Sequence, residues 1–177
     1  MQWNCQGLSN KKNEILSYIE EYKVDVMAVQ ETKLYGGVSV KLPGYNVESQ
    51  DGHFNRTAHG GVATYIHSEL PYSRIQISSR IQAVAIRVQL KMLTTICNIY
   101  SSRSHQLTAT DLNDLIAQLP RPLILLGDFN AYHQMWGSIN CDARGEIVSS
   151  VCLQNNLNIL NSGEPRSEKS KAETQAR

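Results

Sequence analysis

Leu123-Ile124-Leu125-Leu126-Gly127-Asp128-Phe129-Asn130 is the stretch on which the reading of the chain turns. Four successive apolar residues, too few for a helix and set just after Pro120 and Pro122, predict a buried strand. The run stops at a glycine, and a carboxylate and a carboxamide follow at once. In an α/β sheet the C-terminal end of a strand is where side chains leave the core for a crevice. Asp128 and Asn130 are therefore candidate site residues, of a kind suited to metal-assisted chemistry. The plainer alternative is a strand-to-loop turn, which favours the same residue types.

Other segments repeat the pattern. Val24-Asp25-Val26-Met27-Ala28-Val29 predicts a second short buried strand, closed by Gln30-Glu31-Thr32. Asn4, on a first strand at the start of the chain, and Tyr100, at the end of Thr95-Ile96-Cys97-Asn98-Ile99-Tyr100, bring the set to four strand ends. Singly, Glu31 reads as a solvated carboxylate, Asn4 as an edge or turn residue and Tyr100 as a half-buried aromatic. Their coincidence on four strands is what points to a site.

Around these strands, residues 60–66, the alternating Val84, Ile86, Val88 and Leu90, and residues 95–100 predict three consecutive antiparallel strands. Ile15, Leu16, Ile19 and Tyr22 form a helical stripe with Ser9 and Asn10 as caps. Asp111 is read as the cap of a second helix carrying Leu112, Leu115, Ile116 and Leu119. A third helix fits residues 145–156, followed by a strand over 157–160. Helices and strands alternate, so the class is mixed α/β. Residues 1–163 are read as the folded domain. Residues 164–177, with seven charges and no aliphatic side chain larger than alanine, are expected to form a disordered tail.

Composition bounds the function. A length of 177 residues is one domain's worth, and 41% hydrophobic content supports a core without disulfides. Lys+Arg 17 against Asp+Glu 16 excludes a globally basic nucleic-acid binder, so any polyanion must be met by a local cleft. The sequence holds no run of 18 apolar residues, which predicts no membrane partner. Cys5, Cys97, Cys141 and Cys152 are too scattered for a metal or disulfide framework and are read as reduced core thiols. The opening Met1-Gln2-Trp3-Asn4 has no signal-peptide pattern, so an intracellular setting, nucleus or cytoplasm, is expected.

Taken together, the segments resemble the endonuclease/exonuclease/phosphatase family, and within it the apurinic-like endonuclease domain of non-LTR retrotransposons. The residues that carry the resemblance are Trp3-Asn4-Cys5-Gln6-Gly7-Leu8, Gln30-Glu31-Thr32, Gly60-Gly61-Val62-Ala63, Ile99-Tyr100 and Leu125 to Ala131. His133, Trp136-Gly137-Ser138, Arg144-Gly145 and Leu157 to Gly163 continue it, and the Trp136 and Arg144 elements look like the retrotransposon branch.

The resemblance implies a two-sheet α/β sandwich of the endonuclease/exonuclease/phosphatase (DNase I-like) type. It implies hydrolysis of a DNA phosphodiester with Mg²⁺, or Mn²⁺ in its place. Glu31, and more loosely Asn4, resemble the metal ligands. Asp128 resembles the carboxylate that orients or deprotonates the attacking water, Asn130 the amide that holds the phosphate, and Tyr100 the phenol that hydrogen-bonds the scissile phosphate. His133 and Trp136 are candidates for a place near the DNA. Arg56 and Arg103 are candidates for phosphate contact, since such contacts come largely from Arg and Lys.

The departures carry their own expectation. A closing aspartate-bearing loop and a Ser-Asp-His segment do not occur in the 177 residues, and Arg166 stands where retrotransposon members carry a threonine. The chain is thus read as a domain lacking its closing strands, with impaired turnover and with sheet edges open to self-association. The alternatives are an inert remnant that binds nucleic acid or a protein, and a small phosphoesterase of the same fold.

Overall fold

The structure, a computed structural model, describes residues 1–55 and 57–161. Arg56 and the 164–177 tail lie outside the described residues. The chain divides into two units, Met1–Asn130 and Ala131–Arg177.

In the first unit, β1 (Gln2–Asn4), β2 (Val26–Gln30), β3 (Tyr45–Gln50) and β6 (Val62–His67) form one sheet in the order β1-β2-β6-β3. β4 (His53–Asn55) and β5 (Thr57–His59) make a separate two-stranded ribbon. β7 (Tyr72–Ile75), β8 (Gln82–Gln89), β9 (Leu93–Tyr100) and β10 (Leu123–Asp128) form a second sheet, ordered β10-β9-β8-β7. Both sheets are mixed: β1 runs parallel to β2 and β10 parallel to β9, while the other neighbours are antiparallel.

Alternation along each strand sorts its side chains into two layers. Met27 and Val29 of β2 and Ala63 and Tyr65 of β6 join Ile15 and Ile19 of helix α1 (Lys12–Tyr22) in one core cluster. Val62 and Ile66, from the other face of β6, join Val84, Ile86, Val88, Ile96 and Tyr100 of the second sheet in the other. The sheets are therefore packed face to face. At one edge Tyr72 and Arg74 of β7 reach Glu48 of β3, with Arg74 and Glu48 3.0 Å apart.

Several local expectations are corrected. Residues 62–67 do not pair with 82–89; they sit between β2 and β3, because the chain crosses to the second sheet after His67. α1 begins after Lys11 with no side-chain cap in place of Ser9 or Asn10, and Tyr22 is exposed. Helix α2 (Ala109–Ala117) is capped by Thr108. Asp111 occupies the third helical position and completes a capping box, accepting from the Thr108 N–H while its own N–H donates to Thr108 Oγ1. Cys5 and Cys97 are buried thiols, but Cys141 is exposed and Cys152 only half-buried.

In the second unit a short 3₁₀ turn, Gln134–Trp136, precedes helix α3 (Ala143–Gln154), whose N-cap Asp142 accepts from Gly145 N at 2.7 Å. Residues 157–160 form no strand among the described residues, and Leu160 is 85% exposed. A strand needs a neighbour for its ladder, and none of the described strands pairs with them. No described helix is long and apolar enough to cross a membrane.

Candidate active site

The four polar strand ends of the first unit meet. Asn4 ends β1, Glu31 follows β2 directly, Tyr100 ends β9 and Asp128 ends β10. The parallel pairings bring them together, since Asn4 lies level with Gln30 and Asp128 level with Tyr100. Gly127 allows the close approach of β10 to β9: its φ is +145°, and a Cβ there would strike the Ile99 carbonyl oxygen.

The contacts are specific. Asn4 Nδ2 donates to Glu31 Oε1 at 3.1 Å and to Asp128 Oδ2 at 2.8 Å. Tyr100 Oη donates to the same Glu31 oxygen at 3.0 Å. The Asn130 N–H donates to Asp128 Oδ1 at 2.9 Å. Glu31 itself is held with φ at +53°, a region that non-glycine residues rarely adopt. The flanking backbone secures it: Thr32 N donates to Gly61 O, Lys33 N to Gly60 O, and Gly7 N to Glu31 O. Strain of this kind is retained where surrounding structure over-determines it, and it concentrates at functional sites.

Tyr100 is buried. Burial first, and then the Glu31 carboxylate, push its hydroxyl above the ordinary tyrosine range. It is a phenol, hence a hydrogen-bond donor, throughout the neutral range.

Of the remaining expected residues, Asn130 is engaged on both sides of its carboxamide. Its Nδ2 donates to Ser101 O at 3.1 Å and its Oδ1 accepts from Arg103 Nε at 3.2 Å, which ties the loop after β9 to the end of β10. Arg103 is exposed. His133 and Trp136 belong to the second unit, where their rings lie 5.0 Å apart and the indole N–H donates to Ala131 O.

Sequence reasoning missed Gln30 and Asn98. Gln30 Nε2 donates to Asn98 Oδ1 at 2.7 Å, and Asn98 Nδ2 donates to Ala63 O at 3.0 Å and Val29 O at 3.2 Å. This buried network joins the sheets directly beneath the site residues. The signal was available: an amide amid the apolar residues of 95–100 needs buried partners.

The cluster suits a hard divalent cation. Its potential ligands are two carboxylates and a carboxamide, all oxygen donors, and the two carboxylates share a single amide nitrogen. A second group, His133, Cys141 and Glu146, has ligand atoms within 4.8 Å of one another but does not suit a metal. His133 Nδ1 accepts the Met135 N–H at 3.1 Å, which leaves the proton on Nε2, the nitrogen facing Glu146. A ligating histidine instead donates from its other nitrogen. Glu146, as hydrogen-bond acceptor, also raises the Cys141 thiol above its ordinary range, which disfavours the thiolate a metal requires.

Known proteins share the sequence and the fold of this chain. The chain is 29% identical over 167 residues to the RNA-directed DNA polymerase from mobile element jockey of Drosophila melanogaster, covering 92% of this chain and 18% of that protein. The chain thus spans under a fifth of the length of the curated relative. Its fold is similar to the endonuclease domain of TRAS1, a telomere-specific non-LTR retrotransposon (TM-score 0.71, 20% identity, 92% of this chain and 72% of that one). It is also similar to an AP endonuclease from Archaeoglobus fulgidus (TM-score 0.59, 18% identity, 86% and 69%). Two mixed sheets packed in the DNase I-like manner, four strand ends meeting at one point, and a match over residues 1–166 together establish that the chain belongs to the endonuclease/exonuclease/phosphatase family.

Proposed function

We propose that the chain is a Mg²⁺-dependent DNA endonuclease module of retrotransposon origin, with Mn²⁺ able to replace Mg²⁺. The observation that carries the proposal is the hydrogen-bonded cluster of Asn4, Glu31, Tyr100 and Asp128 at four strand ends. The likeness to mobile-element proteins supports DNA as substrate and partner.

In this reading Glu31 and Asn4 hold the metal. When bound, the cation polarises the phosphoryl oxygens and neutralises charge developing on them. Asp128 orients the attacking water and accepts its proton as the new P–O bond forms and the bond to the leaving oxygen breaks. Asn130, steadied by Ser101 and Arg103, holds the phosphate. Tyr100 donates its proton in a hydrogen bond to a phosphate oxygen without losing it. Arg103 contacts the phosphate backbone, and His133 and Trp136 are further candidates for DNA contact.

Turnover by these 177 residues is slow in this proposal. Among the described residues no imidazole hydrogen-bonds to the four clustered side chains, so the leaving oxygen takes its proton from solvent. A missing acid or electrostatic group of that kind costs on the order of 10² to 10⁴ in rate.

Supercoiled plasmid incubated with the chain and Mg²⁺ tests the proposal. The expected result is slow nicking, abolished by chelator and by Asp128→Ala. Nicking that persists in Asp128→Ala, or none from the parent chain at high protein concentration, overturns it; retained DNA binding without nicking would favour a binding module.

A further inference from the structure

Asn4 presents its nitrogen, not its oxygen, to the two carboxylates. One amide NH₂ spans Glu31 Oε1 and Asp128 Oδ2, while Asn4 Oδ1 faces away and accepts the Gln6 N–H at 3.3 Å. This orientation follows from electrostatics. Turned by half a revolution about Cβ–Cγ, the amide would bring its oxygen against two carboxylate oxygens, three acceptors with only the Tyr100 hydroxyl proton, already donated to Glu31 Oε1, beside them. A cation between them stabilises that arrangement.

We infer that the Asn4 amide is a two-position element of the metal site. Without metal its NH₂ bridges Glu31 and Asp128 in place of the cation; with metal it turns and offers Oδ1 as a ligand. The inference rests on the proposed metal-dependent reading and adds to it a change in one named side chain. Its physical basis is that the same three groups need a donor between them in one state and an acceptor in the other.

The weakest of the three contacts is the one the turn must also break. The Gln6 N–H bond is 3.3 Å long and lies in an exposed loop, where water replaces it readily. The Asp128 bond, at 2.8 Å, is the one that ties the amide most firmly in the metal-free position. Asp128→Asn should therefore loosen the bridge without removing Oδ1.

The test uses the full 177-residue chain with Mg²⁺ alone as probe, read by ¹H–¹⁵N spectra of the Asn4 side-chain amide. In the metal-free chain both amide protons should be shifted downfield by their carboxylate acceptors. Saturation with Mg²⁺ should remove that shift from both, while the backbone amides of β2 and β10 stay near their positions. In parallel, Asn4→Ala should bind Mn²⁺ about tenfold more weakly than the parent. Asn4→Asp, whose carboxylate needs no turn to offer oxygen, should bind more tightly.

Mg²⁺ binding that leaves the Asn4 amide signals unmoved, or Asn4→Ala binding as tightly as the parent, overturns the turn and leaves the metal reading intact. Absence of any binding by the parent chain overturns the metal reading and the turn with it.

Discussion

Asn4 and Asp128 stand 124 positions apart in the chain and are joined by a 2.8 Å hydrogen bond. One ends β1 of the first sheet and the other ends β10 of the second, and each of these strands lies at an edge of its sheet. The site therefore exists only when the sheets are packed together, so loss of that packing and loss of the site should be one event. At the opposite edges Glu48 of β3 holds Tyr72 and Arg74 of β7, so polar contacts join the sheets at both sides of the sandwich.

Glu31 is the centre of the cluster, since one of its oxygens accepts from both Asn4 and Tyr100. Glu31→Gln keeps the shape but removes the charge that a hard cation requires. It should weaken Mg²⁺ or Mn²⁺ binding by at least about tenfold in a calorimetric titration. Equal affinities would remove Glu31 from the metal site.

Asn98→Ala should cost about 2–4 kcal/mol of stability, because it strands the Gln30 Nε2 donor in the interior and removes the amide that donates to Val29 O and Ala63 O across the sheets. Urea denaturation measures it. A midpoint within error of the parent would show that the sheets do not depend on this bridge.

Stability should fall as the pH rises above about 9. Burial pushes the Cys97 thiol up to about 12 and raises the hydroxyls of Tyr65 and Tyr100, the latter also through Glu31. Between the unfolded and folded values the unfolded chain binds fewer protons, so deprotonation favours unfolding; below the unfolded values both states are protonated and the effect vanishes. Urea midpoints from neutral pH upward should decline first in the cysteine range, and Cys97→Val should reduce that first part, the raised Cys5, Cys141 and Cys152 thiols supplying the remainder. A flat profile in the parent chain would contradict the burial of these groups.

The outer strands β1, β3, β7 and β10 leave backbone donors and acceptors unpaired on their outer sides within the described sheets, and Ile124 of β10 is 39% exposed. Concentration-dependent dimerisation is expected in light scattering, and Ile124→Lys should reduce it. A monomer at every concentration would show that these edges are protected.

Short apolar runs marked β2, β6, β9 and β10, alternation marked β8, and helical stripes marked all three long helices, although β10, read as buried, is only half-buried. These signals passed over β3, β4, β5 and β7. β4 and β5 are only three residues long, and Tyr45–Gln50 and Tyr72–Ile75 are sheet edges with largely polar sequences. Strands of that kind are defined by hydrogen bonds to a neighbour that the sequence does not identify. Helix boundaries slipped for a related reason: Thr108, not Asp111, is the cap, since both residues have capping chemistry and only the backbone geometry separates them.

By itself the sequence determined the mixed α/β class and the four polar residues at strand ends, because both follow from local composition and order, while the family was legible only as a resemblance of its motifs. Only the tertiary structure decided which strand joins which sheet, that Asn98 bridges the two, and that the Asn4 nitrogen faces Glu31 and Asp128. The physical reason is range. Apolar periodicity is felt over a few residues, whereas the partners of a buried amide or a carboxylate pair are chosen by chain packing across more than a hundred.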